Sequence, residues 1–202
     1  LLYVADLGLI TLRPQVTLAN AIYQEVIPRE LIWSTQVVLP YDTAWYVQPD
    51  GRLDLNKLLA AFQQFFREHA EPWIERFQYK EAGPQLLLQA FLQRIVNGGG
   101  RIDREYGLGR RRTDLLLHWP LDATKGYLGP MQRVVIELKL LHKSLDATVR
   151  EGLEQTADYL DRAGTMEGHL LIFDRRPGMT WEERIFQRIE PRGRYHIQVW
   201  GM

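Results

Sequence analysis

Between Asp54 and Ala70 the apolar residues Leu55, Leu58, Leu59, Phe62, Phe65 and Phe66 recur at the spacing of one broad helical face, which predicts a helix buried along that stripe. Pro84 suits the first turn of a second helix running to about Val96, with Leu86, Leu87, Ala90, Phe91 and Ile95 facing inward. Gly98-Gly99-Gly100 stops it. The period then shortens to that of strands. Arg101 to Tyr106, Thr113 to Trp119 and Arg133 to Leu140 read as three successive strands, with a tight turn at Gly107-Leu108-Gly109 and a loop containing Gly126 to Pro130. Thr148 to Ala163 is helical again, Gly168 to Asp174 is a strand, Pro177-Gly178 a turn, and Tyr195 to Trp200 a last strand. Ahead of residue 54 the pattern is weaker. It yields a short strand at Val16 to Leu18, a short helix from Ala21 to Leu31 interrupted near Pro28, and an irregular stretch from Val37 to Gln48.

Short turns between the first strands favour an antiparallel start, and the later helix permits a crossover. The expected fold is therefore α/β (α+β), a mixed central sheet flanked by helices and preceded by a mainly helical region. Residues 1–75 are assigned to a helical accessory or linking region and 76–202 to the sheet-containing domain. The opening, Leu1-Leu2-Tyr3-Val4-Ala5-Asp6, lacks an initiator Met, and Leu7 to Leu12 reads like the end of an element begun upstream; a piece of a longer protein is expected.

Composition narrows the chemistry. With 46% hydrophobic and 25% charged residues over 202 positions, the chain has the makings of an ordinary folded core. Lys and Arg number 25 and so do Asp and Glu, so bulk charge does not hold this protein on DNA, although a local basic patch can. The absence of cysteine excludes disulfides, thiolate chemistry and cysteine-ligated metal sites. No apolar run is long enough to span a bilayer, and a cytoplasmic location without membrane partners is expected. No Walker motif is present, and the five histidines show no compact metal-binding spacing.

The residues that stand out are charges set in apolar strands. In Val134-Val135-Ile136-Glu137-Leu138-Lys139-Leu140, strand periodicity puts Glu137 and Lys139 on one face, and Asp114 interrupts the equally apolar Thr113-Asp114-Leu115-Leu116-Leu117. Buried charge is expensive and needs a reason. Taken singly, a Glu–Lys pair near a sheet edge and an Asp satisfying a turn are sufficient accounts. Taken together on neighbouring strands, the two carboxylates converge on one cation beside an amine. Two carboxylates are hard oxygen ligands for Mg²⁺ or Mn²⁺, which activates water and offsets phosphoryl charge, while Lys139 stabilises the same charge. Gln155 and Tyr159 share a helical face, Gln155 as a ligand for phosphate or metal-bound water and Tyr159 partly as packing. Arg110, Arg111 and Arg112 form either a charged turn or a phosphate contact, and His142 and Lys143 extend the same basic rim.

These blocks resemble the PD-(D/E)XK nuclease superfamily, the restriction-endonuclease-like fold, over about residues 80 to 200. The likeness is carried by Gly107-Leu108-Gly109-Arg110-Arg111-Arg112-Thr113-Asp114, Ile136-Glu137-Leu138-Lys139, Gly152-Leu153-Glu154-Gln155-Thr156-Ala157-Asp158-Tyr159 and Gly168-His169-Leu170-Leu171-Ile172-Phe173-Asp174-Arg175. It looks most like the nuclease-type domain at the C-terminus of proteins whose N-terminal part is an AAA-type ATPase. The resemblance implies Asp114 as the family's aspartate, Glu137 and Lys139 as its E-x-K pair, and Gln155 as the glutamine that shapes the active site. Thr113 stands where the family name has proline. The family's additional acid falls equally on Glu81 or Glu105. The function so implied is a Mg²⁺- or Mn²⁺-dependent endonuclease acting on DNA, with Asp114 and Glu137 as metal ligands. Its partners would be DNA, an attached ATPase region and, in a homo-oligomer, a second copy of the chain. Two rivals stand beside it: a nucleic-acid-binding module that does not cleave, and a protein-interaction or regulatory domain with an unused site.

Overall fold

The computed structural model describes residues 10–11, 17–18, 45–69, 82–97, 99–108, 111–122, 124–141, 144–174, 176 and 179–202. The expected helix at Ala21 to Leu31 and the turn at Pro177-Gly178 lie outside them. Two short strands, β1 (Ile10–Thr11) and β2 (Thr17–Leu18), pair antiparallel. Helix α1 (Leu55–His69) starts where Asp54 accepts a hydrogen bond from the Lys57 backbone N–H at 3.0 Å, the usual work of an N-cap carboxylate. Helix α2 (Ala82–Asn97) follows, and the Gly100 N–H closes its end on the Ile95 carbonyl.

Strands β3 (Arg101–Leu108), β4 (Arg111–Pro120) and β5 (Met131–Leu140) form an antiparallel meander. Helix α3 (Leu145–Ala163) is capped by Ser144 at its start and by Gly164 at its end, where φ of 64° suits the left-handed conformation that glycine adopts freely. It carries the chain over to β6 (Gly168–Phe173), which lies parallel to β5. A four-residue helix α4 (Trp181–Arg184) and the hairpin β7 (Phe186–Arg192) and β8 (Tyr195–Gly201) complete the chain. The sheet has six strands in the order β3-β4-β5-β6-β8-β7, antiparallel at both flanks and parallel in the middle. The expected mixed sheet flanked by helices is what the chain forms. Strand β7 and helix α4 were not foreseen.

The layering follows from which side chains meet. Leu55, Leu58, Leu59, Phe62 and Phe66 of α1 and Leu88, Phe91, Leu92 and Ile95 of α2 share a core with Leu115, Leu117, Ile136, Leu171, Phe173 and Trp200 of the sheet. On the opposite face Val149, Leu153 and Leu160 of α3 pack on Leu116, Val135, Leu170, Ile172, Ile197 and Val199. The central strands are covered on both sides, which is why β5 is buried continuously from Val134 to Glu137. Helix α1 lies before residue 75, yet its apolar stripe and the sheet form one core. Each fully buried Leu or Phe there contributes about 1.5–3 kcal/mol.

Candidate functional site

Strands β4 and β5 are hydrogen-bonded neighbours only as far as Leu115–Ile136. Beyond that point each keeps its other partner: β4 continues beside β3 to Arg111–Leu108, and β5 continues beside β6 to Leu140–Phe173. The sheet forks here. Asp114 occupies the first position past the junction and accepts a hydrogen bond from the Leu138 backbone N–H at Oδ2, 2.8 Å away. A side chain thus takes up a donor that the diverging ladder no longer satisfies.

Alternation fixes which groups share a face. Asp114 is two residues from Leu116, and Glu137 and Lys139 continue the row of Val135, so all three stand on the α3 side of the sheet. Lys139 Nζ donates to Glu137 Oε1 at 3.1 Å. Glu137 is only 3% exposed, and its Oε2 is buried without a hydrogen-bond partner. Burial, reinforced by repulsion from Asp114 and opposed by the Lys139 ammonium, pushes its carboxyl up to about 7. The site therefore gathers two carboxylates and one ammonium around a proton that exchanges near neutrality.

Helix α3 closes over this face. A Cβ on Gly152 would lie 2.6 Å from Leu170 Cδ1, so glycine allows the helix to sit directly on Leu170, the register neighbour of Glu137. Gln155, on the next stretch of the same helix, is half-buried, and its Oε1 has no hydrogen-bond partner. Tyr159 is buried and packs in the core beneath α3.

The remaining candidates divide differently. Glu81, Arg110, His142 and Lys143 lie outside the described residues. Glu105 is on β3, and Arg111 and Arg112 are on the part of β4 that has left β5. Among the described residues no group of three or more His, Asp or Glu is placed to hold a metal ion. This overturns the expected Mg²⁺ or Mn²⁺ centre and the metal-dependent deoxyribonuclease activity drawn from it. The physical reason is visible in the side chains: one Asp114 oxygen is committed to Leu138, and the charge of Glu137 is met by Lys139 and by its own tendency to protonate.

Sequence reasoning missed the fork, since nothing in the alternation of residues marks where two strands stop pairing. On the opposite face, at the entry of β6, Trp200 Nε1 donates to His169 Nδ1 at 3.1 Å and burial drives the imidazole down to about 3. His169 is neutral there and belongs to the core. Comparison of the chain with family models, with curated proteins and with solved structures gave no match.

Proposed function

We propose that this chain is a nucleic-acid-binding module that does not cut by a metal-dependent route, and that it grips duplex DNA with the β3–β4 ribbon. The observation that carries this reading is the fork. Past Leu115–Ile136 the β3–β4 pair runs on as a two-stranded ribbon through Tyr106–Thr113 and Gly107–Arg112 to Leu108–Arg111. Its end carries Arg111 and Arg112, and Arg110 adjoins them in sequence. A two-stranded ribbon fits a B-DNA major groove about 12 Å wide, and arginine is the residue best suited to phosphate and guanine. With formal net charge zero over the chain, attraction to DNA has to come from such a local concentration of positive charge. The resemblance to the nuclease fold enters this proposal as scaffold and not as chemistry.

The test is fluorescence anisotropy with a labelled duplex over a salt series. Each phosphate neutralised contributes roughly 0.9 to the slope of log affinity against log salt, so replacing all three arginines by alanine should flatten that slope by about 2–3. An unchanged slope would refute the ribbon as the contact. No binding even at low salt would favour the protein-interaction reading.

A further inference from the structure

The chain leaves one strand edge with a self-complementary pattern. Strand β7 lies at the end of the sheet, and its Ile189 is 58% exposed. The other large exposed apolar side chains, Tyr127, Leu128 and Met166, sit in connections, so Ile189 is the case among the described residues of such a side chain within a strand. Arg192 and Tyr195 close the β7–β8 hairpin across Gly193 and Arg194. The closing pair of a two-residue hairpin exchanges backbone hydrogen bonds, and the pattern alternates from there. Phe186, Arg188, Glu190 and Arg192 therefore direct their backbone groups to β8, whereas Gln187, Ile189 and Pro191 direct theirs outward. Pro191 agrees with this, because a residue without an N–H is tolerated where the nitrogen faces solvent.

We propose that β7 pairs with a second copy of itself, antiparallel, about a twofold axis at Ile189. In that register the two Ile189 residues exchange backbone hydrogen bonds, and each Gln187 N–H reaches the carbonyl of the partner's Pro191. The missing Pro191 donor costs bonds only at the ends. The two Ile189 side chains meet on the face that carries α1 and α2, since Ile189 lies beside Gln198, two positions from Trp200. On the other face each Arg188 stands opposite the partner's Glu190. Within one copy Arg188 Nε already lies 2.9 Å from Glu190 Oε1, so the two pairs join into an alternating ring of charges. Proline and charges on an edge discourage indiscriminate strand addition. A strand that mirrors Arg and Glu about a central Ile meets no such obstacle, and β7 itself is one.

This inference is independent of the DNA reading. A single strand pair is a small interface, so the association is expected to be weak and to appear only at high chain concentration. Sedimentation equilibrium of the whole chain reads it directly. R188E sets like charges opposite each other twice and should weaken association roughly tenfold or more. R188E combined with E190R restores the alternation and should recover the original constant to within about threefold. I189K should weaken association by a factor similar to R188E, and circular dichroism melts confirm that each variant folds. A chain that stays monomeric at about 1 mM would overturn the proposal. So would a dimer indifferent to R188E and I189K, or a double variant that fails to recover.

Discussion

Replacing Glu137 by Gln keeps the shape of the side chain and removes its charge, which isolates the cost of ionising a carboxyl that is 3% exposed. In the folded chain this carboxyl sits at about 7, against an ordinary value of 4.5. The native state therefore holds a proton between those values that the unfolded state has released, and stability falls as pH rises through that window. At 1.36 kcal/mol per pKa unit the loss attributable to Glu137 is about 3 kcal/mol, complete a little above pH 7. His169 works in the opposite direction: its folded value near 3 lies below the ordinary 6.5, so its contribution rises with pH between those points. The two overlap between 4.5 and 6.5, and the wild-type curve alone would conceal both. The informative quantity is the difference between E137Q and wild type, measured by urea unfolding from about pH 5 to pH 8. E137Q should gain on wild type steadily with rising pH, by roughly 3 kcal/mol over the window. A difference that stays flat would refute the burial and repulsion argued for the fork.

Two further changes test the scaffold that presents the site. Gln132 accepts from the Leu53 N–H at 2.8 Å and donates to the Leu53 carbonyl at 3.1 Å, fastening the segment before α1 to the sheet. Gln132→Leu strands both buried backbone groups and should cost about 2–3 kcal/mol, with faster proteolysis near residue 50; unchanged melting and cleavage would contradict it. A Cβ on Gly201 would come within 2.2 Å of the Arg184 carbonyl oxygen and 2.3 Å of the Phe186 ring, and a backbone atom does not swing aside as the end of a flexible side chain can. Gly201→Ala should therefore destabilise by about 3 kcal/mol in thermal or urea unfolding, and a neutral result would show that the α4–β7 corner is loose.

How far the sequence discloses this protein depends on whether a feature is periodic. The stripe from Leu55 to Phe66 and the alternation around Ile136 are repeated signals that follow from burial, and by such signals the long helices α1, α2 and α3 and the central strands were legible. Strand β7 was not: an edge strand buries little, so Phe186 to Arg192 shows no apolar row, and Pro191 reads as a breaker. Helix α4 is a four-residue turn held by a capping box between Thr180 and Glu183, too short for any period. At the site, alternation places Glu137 and Lys139 on one face. The fork is a tertiary event, decided by where β4 leaves β5, and the commitment of Asp114 to the Leu138 N–H follows from it. The expected metal centre came from residue types and spacing, which report neither what each oxygen already bonds nor how far burial raises a carboxyl.

The most direct test titrates the chain into a labelled duplex at low salt, once with EDTA and once with Mg²⁺, and then examines the DNA for breaks. Expected are salt-sensitive binding in EDTA, weakened in Mg²⁺ only as competition of the divalent ion for the phosphates requires, and intact DNA in both. No binding in EDTA, or strand breaks that appear only with Mg²⁺, would contradict a nucleic-acid-binding module that works without metal-dependent cleavage.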